Sequence, residues 1–112
     1  MAEEFHAPYD RLSRETLTRH QAIRSLMEEL EAVDWYRQRA DDCHDAALRE
    51  ILLHNMREEI EHASMILEWL RRNDPDFAGE FDTYLYSTGD LTHLEAKTEA
   101  GGGRSDPGKA PG

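Results

Sequence analysis

Two short acidic patterns, thirty residues apart, carry the chemistry in this sequence. The first is Glu28-Glu29-Leu30-Glu31, and the second is Glu59-x-x-His62. Carboxylate oxygen and imidazole nitrogen are both ligands for divalent iron, and a carboxylate can bridge two metal ions. One Glu and one Glu-x-x-His make half of the ligand set of a carboxylate-bridged di-iron site. The sequence therefore predicts that two chains share one metal centre.

The elements that must position these ligands are two long helices, which the apolar periodicity predicts within the runs Leu12 to Ala40 and Ala46 to Leu70, the second helix continuing to about Arg72. At about 100° per residue, Glu29 falls inside the apolar arc of the first helix, whereas Glu28 and Glu31 point away. Glu59 and His62 lie one turn apart on the apolar stripe of the second helix. A carboxylate buried without a counter-charge is very costly, so we expect a cation beside them. The apolar positions are Ala22, Leu26, Val33, Tyr36 and Ala40 on the first helix, and Leu48, Ile51, Leu52, Asn55, Ile66, Trp69 and Leu70 on the second.

Local signals predict where the helices begin and end. Ser13 is the expected N-cap of the first helix and Asp45 that of the second. Asp74 and Pro75 should end the second helix and start a third over residues 75–86. The predicted fold is all-α, an antiparallel two-helix hairpin plus a short C-terminal helix that dimerises into a four-helix bundle. Its expected divisions are a flexible arm over residues 1–9, a helical domain over 10–96 and a disordered tail over 97–112.

Composition narrows the classes of partner. The 112-residue chain has a net charge of -11, which argues against binding to nucleic acid or to an anionic membrane. Its one cysteine, Cys43, cannot form a disulfide within the chain, which fits a reducing cytoplasm. The N-terminus has no signal-peptide pattern, and no window approaches twenty apolar residues. We therefore expect a soluble cytoplasmic protein that forms homo-oligomers, because a lone hairpin buries only one face of each helix.

Several blocks of this sequence resemble the encapsulated ferritin family. They are Met27-Glu28-Glu29-Leu30-Glu31-Ala32-Val33-Asp34-Trp35-Tyr36, then His54-Asn55, then Glu58-Glu59-Ile60-Glu61-His62-Ala63, and finally Leu67-Glu68-Trp69-Leu70-Arg71-Arg72. The likeness covers about residues 10 to 88 and includes the acidic and aromatic block as well as the ligands.

The resemblance implies a ferroxidase that oxidises Fe(II) at a di-iron centre, for iron storage and detoxification. Two hairpins would pair into a ferritin-like four-helix bundle, and the dimers would join in an annular decamer inside an encapsulin nanocompartment. Glu29, Glu59 and His62 of both subunits would be the ligands, with Zn, Mn or Ca able to replace iron in preparations. The resemblance further implies outer entry acids Glu28 and Glu31 with Trp35 beside them, and Tyr36 near the centre.

Other interpretations of the same residues stay open. Glu28, Glu31 and Asp34 also fit an ordinary solvated helix face, and Tyr36 also fits an interface tyrosine with a satisfied hydroxyl. The alternative function is a non-enzymatic dimeric helical scaffold or metal-binding interaction module. Family members often end in a short apolar targeting peptide, but residues 101–112 contain no Leu, Ile, Val or aromatic side chain that could dock in that way.

Overall fold

The computed structural model describes residues 4–94, which form three α-helices and no strand. The expectation of an all-α fold is confirmed. The chain divides into two compact units, Met1–Leu67 and Glu68–Gly112. The helices are α1 (Arg14–Asp42), α2 (Ala46–Asn73) and α3 (Pro75–Tyr84), with short 3-10 helices at Tyr9–Arg11 and Leu91–His93.

The two long helices begin at the predicted caps. The side chain of Ser13 accepts a hydrogen bond from the Thr16 amide at 3.1 Å, at the start of α1. The Asp45 carboxylate accepts from the Leu48 amide at 2.8 Å, at the start of α2. Each bond satisfies an amide that has no partner within the helix itself. The sequence thus fixes where the two ligand-bearing helices start.

The third helix starts as predicted and ends slightly early. Asp74 accepts a hydrogen bond from the Asp76 amide at 3.0 Å, and Pro75 occupies the first helical position. The helix was predicted to reach residue 86, but it ends at Tyr84 because Leu85 is extended. Tyr86 follows with a positive φ of 60°, a left-handed conformation that no helix can continue through.

Within the first unit, α1 and α2 run antiparallel and contact each other both near the connection and farther from it. Arg37 Nε lies 3.3 Å from Met56 Sδ, and farther from the connection His62 Nδ1 lies 3.4 Å from Glu29 Oε2. Ala40, Met56 and Ala63 are buried in this unit. Small side chains such as Ala40 and Ala63 let the two helices approach closely, which brings the acidic positions within reach of each other.

The apolar stripe predicted for α2 is only partly buried in the single chain. Leu48 and Ile51 belong to that stripe, yet they are 47% and 56% exposed. Met56 and Ala63 were not assigned to the stripe, and they are buried. The difference arises because α1 covers one flank of α2 and leaves the other flank uncovered. On α1 the predicted positions are half-buried or buried throughout, from Ala22 to Ala40.

The start of the chain contacts α1. Arg24 Nε lies 2.9 Å from Glu4 Oε1, and the Phe5 ring lies 4.8 Å from the His20 ring. The division into arm, helical domain and tail stays a prediction. Residues 1–3 of the arm and the whole predicted tail over 97–112 lie outside the described residues.

The second unit contains the end of α2, all of α3 and the 3-10 helix. Leu70, Ala78 and Gly79 are buried, and the rings of Phe77 and Phe81 meet edge to face at 5.7 Å. Over residues 4–94, no helix is both long enough and apolar enough to cross a membrane.

Candidate metal centre

Glu29, Glu59 and His62 converge between α1 and α2, within the first unit. His62 Nδ1 lies 3.4 Å from Glu29 Oε2 and 3.5 Å from Glu59 Oε2. One donor atom from each residue lies within 4.8 Å of the other two. Two donor atoms bound to one ion at about 2.0–2.2 Å are themselves about 3–3.5 Å apart. The imidazole is therefore spaced from both carboxylates as ligands of a common ion would be.

The Glu29 carboxylate is the least satisfied polar group of this cluster. Its Oε2 atom is buried and accepts no hydrogen bond, because the 3.4 Å contact with His62 does not meet hydrogen-bond geometry. A buried oxygen without a donor is unfavourable, and a bound cation would relieve this penalty. Two hard carboxylates and one imidazole form a donor set that suits Fe(II), Zn(II) or Mn(II). The residues thus fit a divalent metal ion.

The three side chains are open on one side. The exposed fractions are 25% for Glu29, 24% for Glu59 and 44% for His62. Over residues 4–94, neither carboxylate has an Arg or Lys as ion-pair partner. The negative charge of the pair is therefore not neutralised by a basic side chain of the same chain.

Tyr36 lies on the inward arc of α1, two turns after Glu29. It is half-buried, and the Arg39 guanidinium carbon lies 5.5 Å from its ring centroid and 5.9 Å from that of Trp35. Seven residues of helix correspond to about 10 Å along the axis. Within the described part of the chain, the Tyr36 hydroxyl makes no hydrogen bond, and Tyr36 is not one of the three residues that converge.

The predicted outer acids lie away from the cluster. Glu28 and Glu31 are exposed, and Trp35, which is 49% exposed, shares their side of α1. This side lies about 100–160° around the helix from Glu29. The structure therefore separates an inner group, Glu29 with Glu59 and His62, from an outer acidic face that faces solvent.

The sequence did not predict the contacts of two basic residues on α1, Arg37 and Arg24. Arg37 extends across to Met56, and Arg24 pairs with Glu4 beyond the start of the helix. Helical periodicity could not find either contact, because each joins residues that are far apart in sequence. His54 and Glu58 also lie 3.2 Å apart on the surface of α2, because side chains four residues apart are neighbours on a helix.

Comparisons with known proteins bear on this geometry. A family model described as EncFtn-like matches residues 4–88 of the chain. The chain belongs to the encapsulated ferritin family. The resemblance identified from the acidic and aromatic blocks is thereby confirmed, and the Glu, Glu and His cluster lies within the matched residues of this encapsulated ferritin-like chain.

Individual relatives of the encapsulated ferritin-like chain cover most of its length. An "Encapsulated ferritin-like protein" from Rhodospirillum rubrum is 55% identical over 98 residues, which are 88% of this chain and 70% of that protein. A "Ferritin-like protein" from Thermotoga maritima is 44% identical over 101 residues, or 90% of this chain and 89% of that protein. A crystal structure of a Nitrosomonas europaea protein superposes with a TM-score of 0.74 at 50% identity, covering 80% of this chain and 98% of that one.

Proposed function

We propose that this chain is a ferroxidase that oxidises Fe(II) to Fe(III) at a di-iron centre shared by two subunits. The observation that carries the proposal is the convergence of Glu29, Glu59 and His62 around a carboxylate oxygen that lacks a hydrogen-bond donor. Membership of the encapsulated ferritin family supports iron as the metal. Iron is the substrate of this reaction, and the ligands are its binding site.

One chain supplies too few ligands for two irons. Its three donor residues fill at most half of the coordination positions that a pair of irons requires. A second copy would add the same three residues, so that four carboxylates balance the four positive charges of two Fe(II) ions. The open side of the cluster is where that second set would enter.

Exposed apolar side chains on the same flank of α2 as His62 support a second copy as the partner. Leu48, Ile51 and Met65 are 47%, 56% and 58% exposed, and they lie on the same flank of α2 as His62. Covering this flank with an identical hairpin would bury apolar surface and complete the ligand set in one step. The result would be a ferritin-like four-helix bundle.

The larger assembly is part of the same proposal. We propose that dimers join in an annular decamer that works inside an encapsulin shell in the cytoplasm. The name of the Rhodospirillum rubrum relative, which calls that protein encapsulated, supports enclosure. A surrounding shell would provide the space in which a mineral could collect.

The residues of the chain have distinct roles in this reaction. Glu29 and Glu59 would neutralise the charge of the bound irons, and His62 would hold one iron terminally. Two Fe(II) ions each give up one electron, and one O₂ accepts both electrons with two protons to become H₂O₂. Glu28 and Glu31, with Trp35 beside them, would collect Fe(II) from solution, and Tyr36 would lie near the completed centre.

The decisive experiment is an anaerobic Fe(II) titration followed by native mass spectrometry and then by admission of oxygen. We expect saturation at one iron per chain, bound only by dimers or larger forms, and rapid oxidation once oxygen is added. Glu59→Ala and His62→Ala should slow oxidation by at least about 100-fold, since losing a direct ligand exceeds the effect of losing an outer partner. Glu61→Ala on the exposed side of the same helix turn is the matched control. Normal rates in every ligand variant would refute the proposed centre.

The same samples separate the enzyme from a non-enzymatic scaffold. Because the complete ligand set exists only in the dimer, metal should shift the equilibrium from monomer to dimer or larger forms. Sedimentation of chelator-treated protein, with and without Zn(II), measures this shift. Metal-driven assembly without iron oxidation would support the interaction module. An oligomer whose size is independent of metal would instead contradict the coupling between binding and assembly.

A further inference from the structure

A positive charge lies on the same side of α1 as the outer acids. Arg24 precedes Glu28 by four residues and Glu31 by seven, which places all three within an arc of about 60°. An Arg and a Glu four residues apart on a helix are neighbours and can form an ion pair. The local sequence therefore offers Arg24 the Glu28 carboxylate as its nearest partner.

Arg24 instead pairs with a residue outside the helix. Its Nε lies 2.9 Å from Glu4 Oε1, with the two side chains 41% and 28% exposed. Its Nη1 lies 4.0 Å from Met27 Sδ, on the side of Arg24 opposite to Glu28. In the described part of the chain, Glu28 and Glu31 form no ion pair. The guanidinium is thus paired with Glu4 and with neither outer acid.

Aromatic contacts hold Glu4 in this place. The Phe5 ring lies 4.8 Å from the His20 ring of α1 and 5.6 Å from the Tyr9 ring. Contacts at these separations are within the range of stabilising ring pairs. The segment that carries Glu4 is therefore attached to α1 one turn before Arg24, and its carboxylate is a fixed competitor for the guanidinium.

We propose that Glu4 sets the cation affinity of the outer acidic face by withholding Arg24 from Glu28 and Glu31. While Glu4 holds Arg24, neither outer acid is paired with a guanidinium, and both carboxylates are available to an incoming divalent cation. When the Glu4–Arg24 ion pair breaks, Arg24 pairs with Glu28 and competes with that cation for its carboxylate. This inference deepens the proposed function, because it rests on the outer acids collecting the metal substrate.

Terbium luminescence can measure binding at this face without any iron chemistry. The chain has two tryptophans, so Trp69→Phe leaves Trp35, which shares the face with the outer acids, as the sensitiser. Tb(III) is a hard ion that takes carboxylate oxygens, and competition with Ca(II) converts the signal into a divalent affinity. The measurement uses the full-length chain at low ionic strength, where exposed charges are least screened.

A double-mutant cycle on Glu4 and Arg24 tests the proposal. Glu4→Gln should weaken Ca(II) binding about two- to threefold, because an exposed helical ion pair is weak. With Arg24→Gln already present, Glu4→Gln should have no more effect than Glu15→Gln, a charge-matched control in the first turn of α1. Phe5→Ala should act like Glu4→Gln, since it loosens the same segment.

Two outcomes would overturn the inference. One is that Glu4→Gln weakens Ca(II) binding equally in the wild-type and the Arg24→Gln proteins. That result would mean that Glu4 acts only through its own distant charge. The other is an unchanged affinity in Glu4→Gln. The proposed ferroxidase can fail independently: an intact cycle with no iron oxidation would refute the enzyme and leave the role of Glu4 standing.

Discussion

Carboxylates in two regions of the molecule have opposite charge environments. Glu68 lies 2.7 Å from Arg71 Nε and 2.7 Å from Arg72 Nε, within the second unit. Hydrogen bonds from Arg71 first, and then from Arg72, lower the pKa of Glu68 from 4.5 to about 2. Over residues 4–94, Glu29 and Glu59 of the first unit have no Arg or Lys as ion-pair partner, and both lie near the His62 imidazole.

The difference distinguishes a structural acid from a binding acid. The partners of Glu68 come three and four residues later on the same helix, so this acid is neutralised as soon as the helix forms. The inner pair has no such partners on its own helices. Its charge must be balanced from solution, which is the property that a metal site requires. An acid that points inward and has no Arg or Lys one turn away is therefore a stronger candidate for metal binding than an acid paired as Glu68 is.

The largest expected contrast between the two regions is in metal-linked stability. Zn(II) at about 100 times its Kd should raise the free energy of unfolding by about 2.7 kcal/mol, because it binds only the folded chain. Glu29→Ala, Glu59→Ala and His62→Ala should each abolish this gain, whereas Glu68→Ala should keep it. Thermal unfolding with and without Zn(II) measures both. The prediction would be contradicted if Glu68→Ala lost the stabilisation by Zn(II) while the three ligand variants kept it.

An intermediate contrast is expected in the metal-free protein. Glu29→Gln removes a charge that has no donor, so the free energy of unfolding should stay level or rise by up to about 1 kcal/mol. Glu68→Gln removes the partner of two arginines and should lower that free energy. Urea denaturation in the presence of a chelator tests the pair of variants. Greater destabilisation from Glu29→Gln than from Glu68→Gln would show that Glu29 already has a favourable partner.

The smallest expected effect is the acid dependence due to Glu68. Because the folded state lowers the pKa of Glu68, the ion pairs contribute fully above 4.5 and are lost as the pH falls toward about 2. Glu68→Gln should make the free energy of unfolding depend less on pH between about 2 and 4.5. Near neutral pH, its pH dependence should match that of the wild type. A pH series of unfolding midpoints measures the slope. Parallel curves throughout would exclude a contribution from this carboxylate.

Much of the fold follows from local chemistry. Ser13, Asp45 and Asp74 each supply a side-chain oxygen to an unpaired amide, and Pro75 occupies a position where its missing N–H has no cost. These effects involve residues at most three positions apart, which is why the helix starts could be predicted. The end of α3 could not, because the left-handed conformation of Tyr86 has no signal in its side chain.

The candidate site was predictable for a related reason. A fixed rotation per residue determines that Glu59 and His62 share a side of α2 and that Glu29 points inward on α1. The pairing of Arg24 with Glu4 was beyond such reasoning, because its partners are separated by a loop whose path depends on contacts such as Phe5 with His20. Helical periodicity also could not predict the exposure of Leu48 and Ile51. It identifies an apolar flank but does not show whether the same chain covers that flank.

The three-residue connection between α1 and α2 has a kinetic consequence. Arg37 and Met56 are 19 residues apart in sequence, whereas Glu29 and His62 are 33 apart, so pairing that starts at the connection reaches the ligands later. Contacts that form after the folding transition state mainly control the rate of unfolding. We expect Zn(II) to slow the unfolding of the hairpin while leaving its refolding rate almost unchanged, and a stopped-flow measurement of both rates would decide this. Bound metal would then prolong the lifetime of the folded hairpin without speeding its formation.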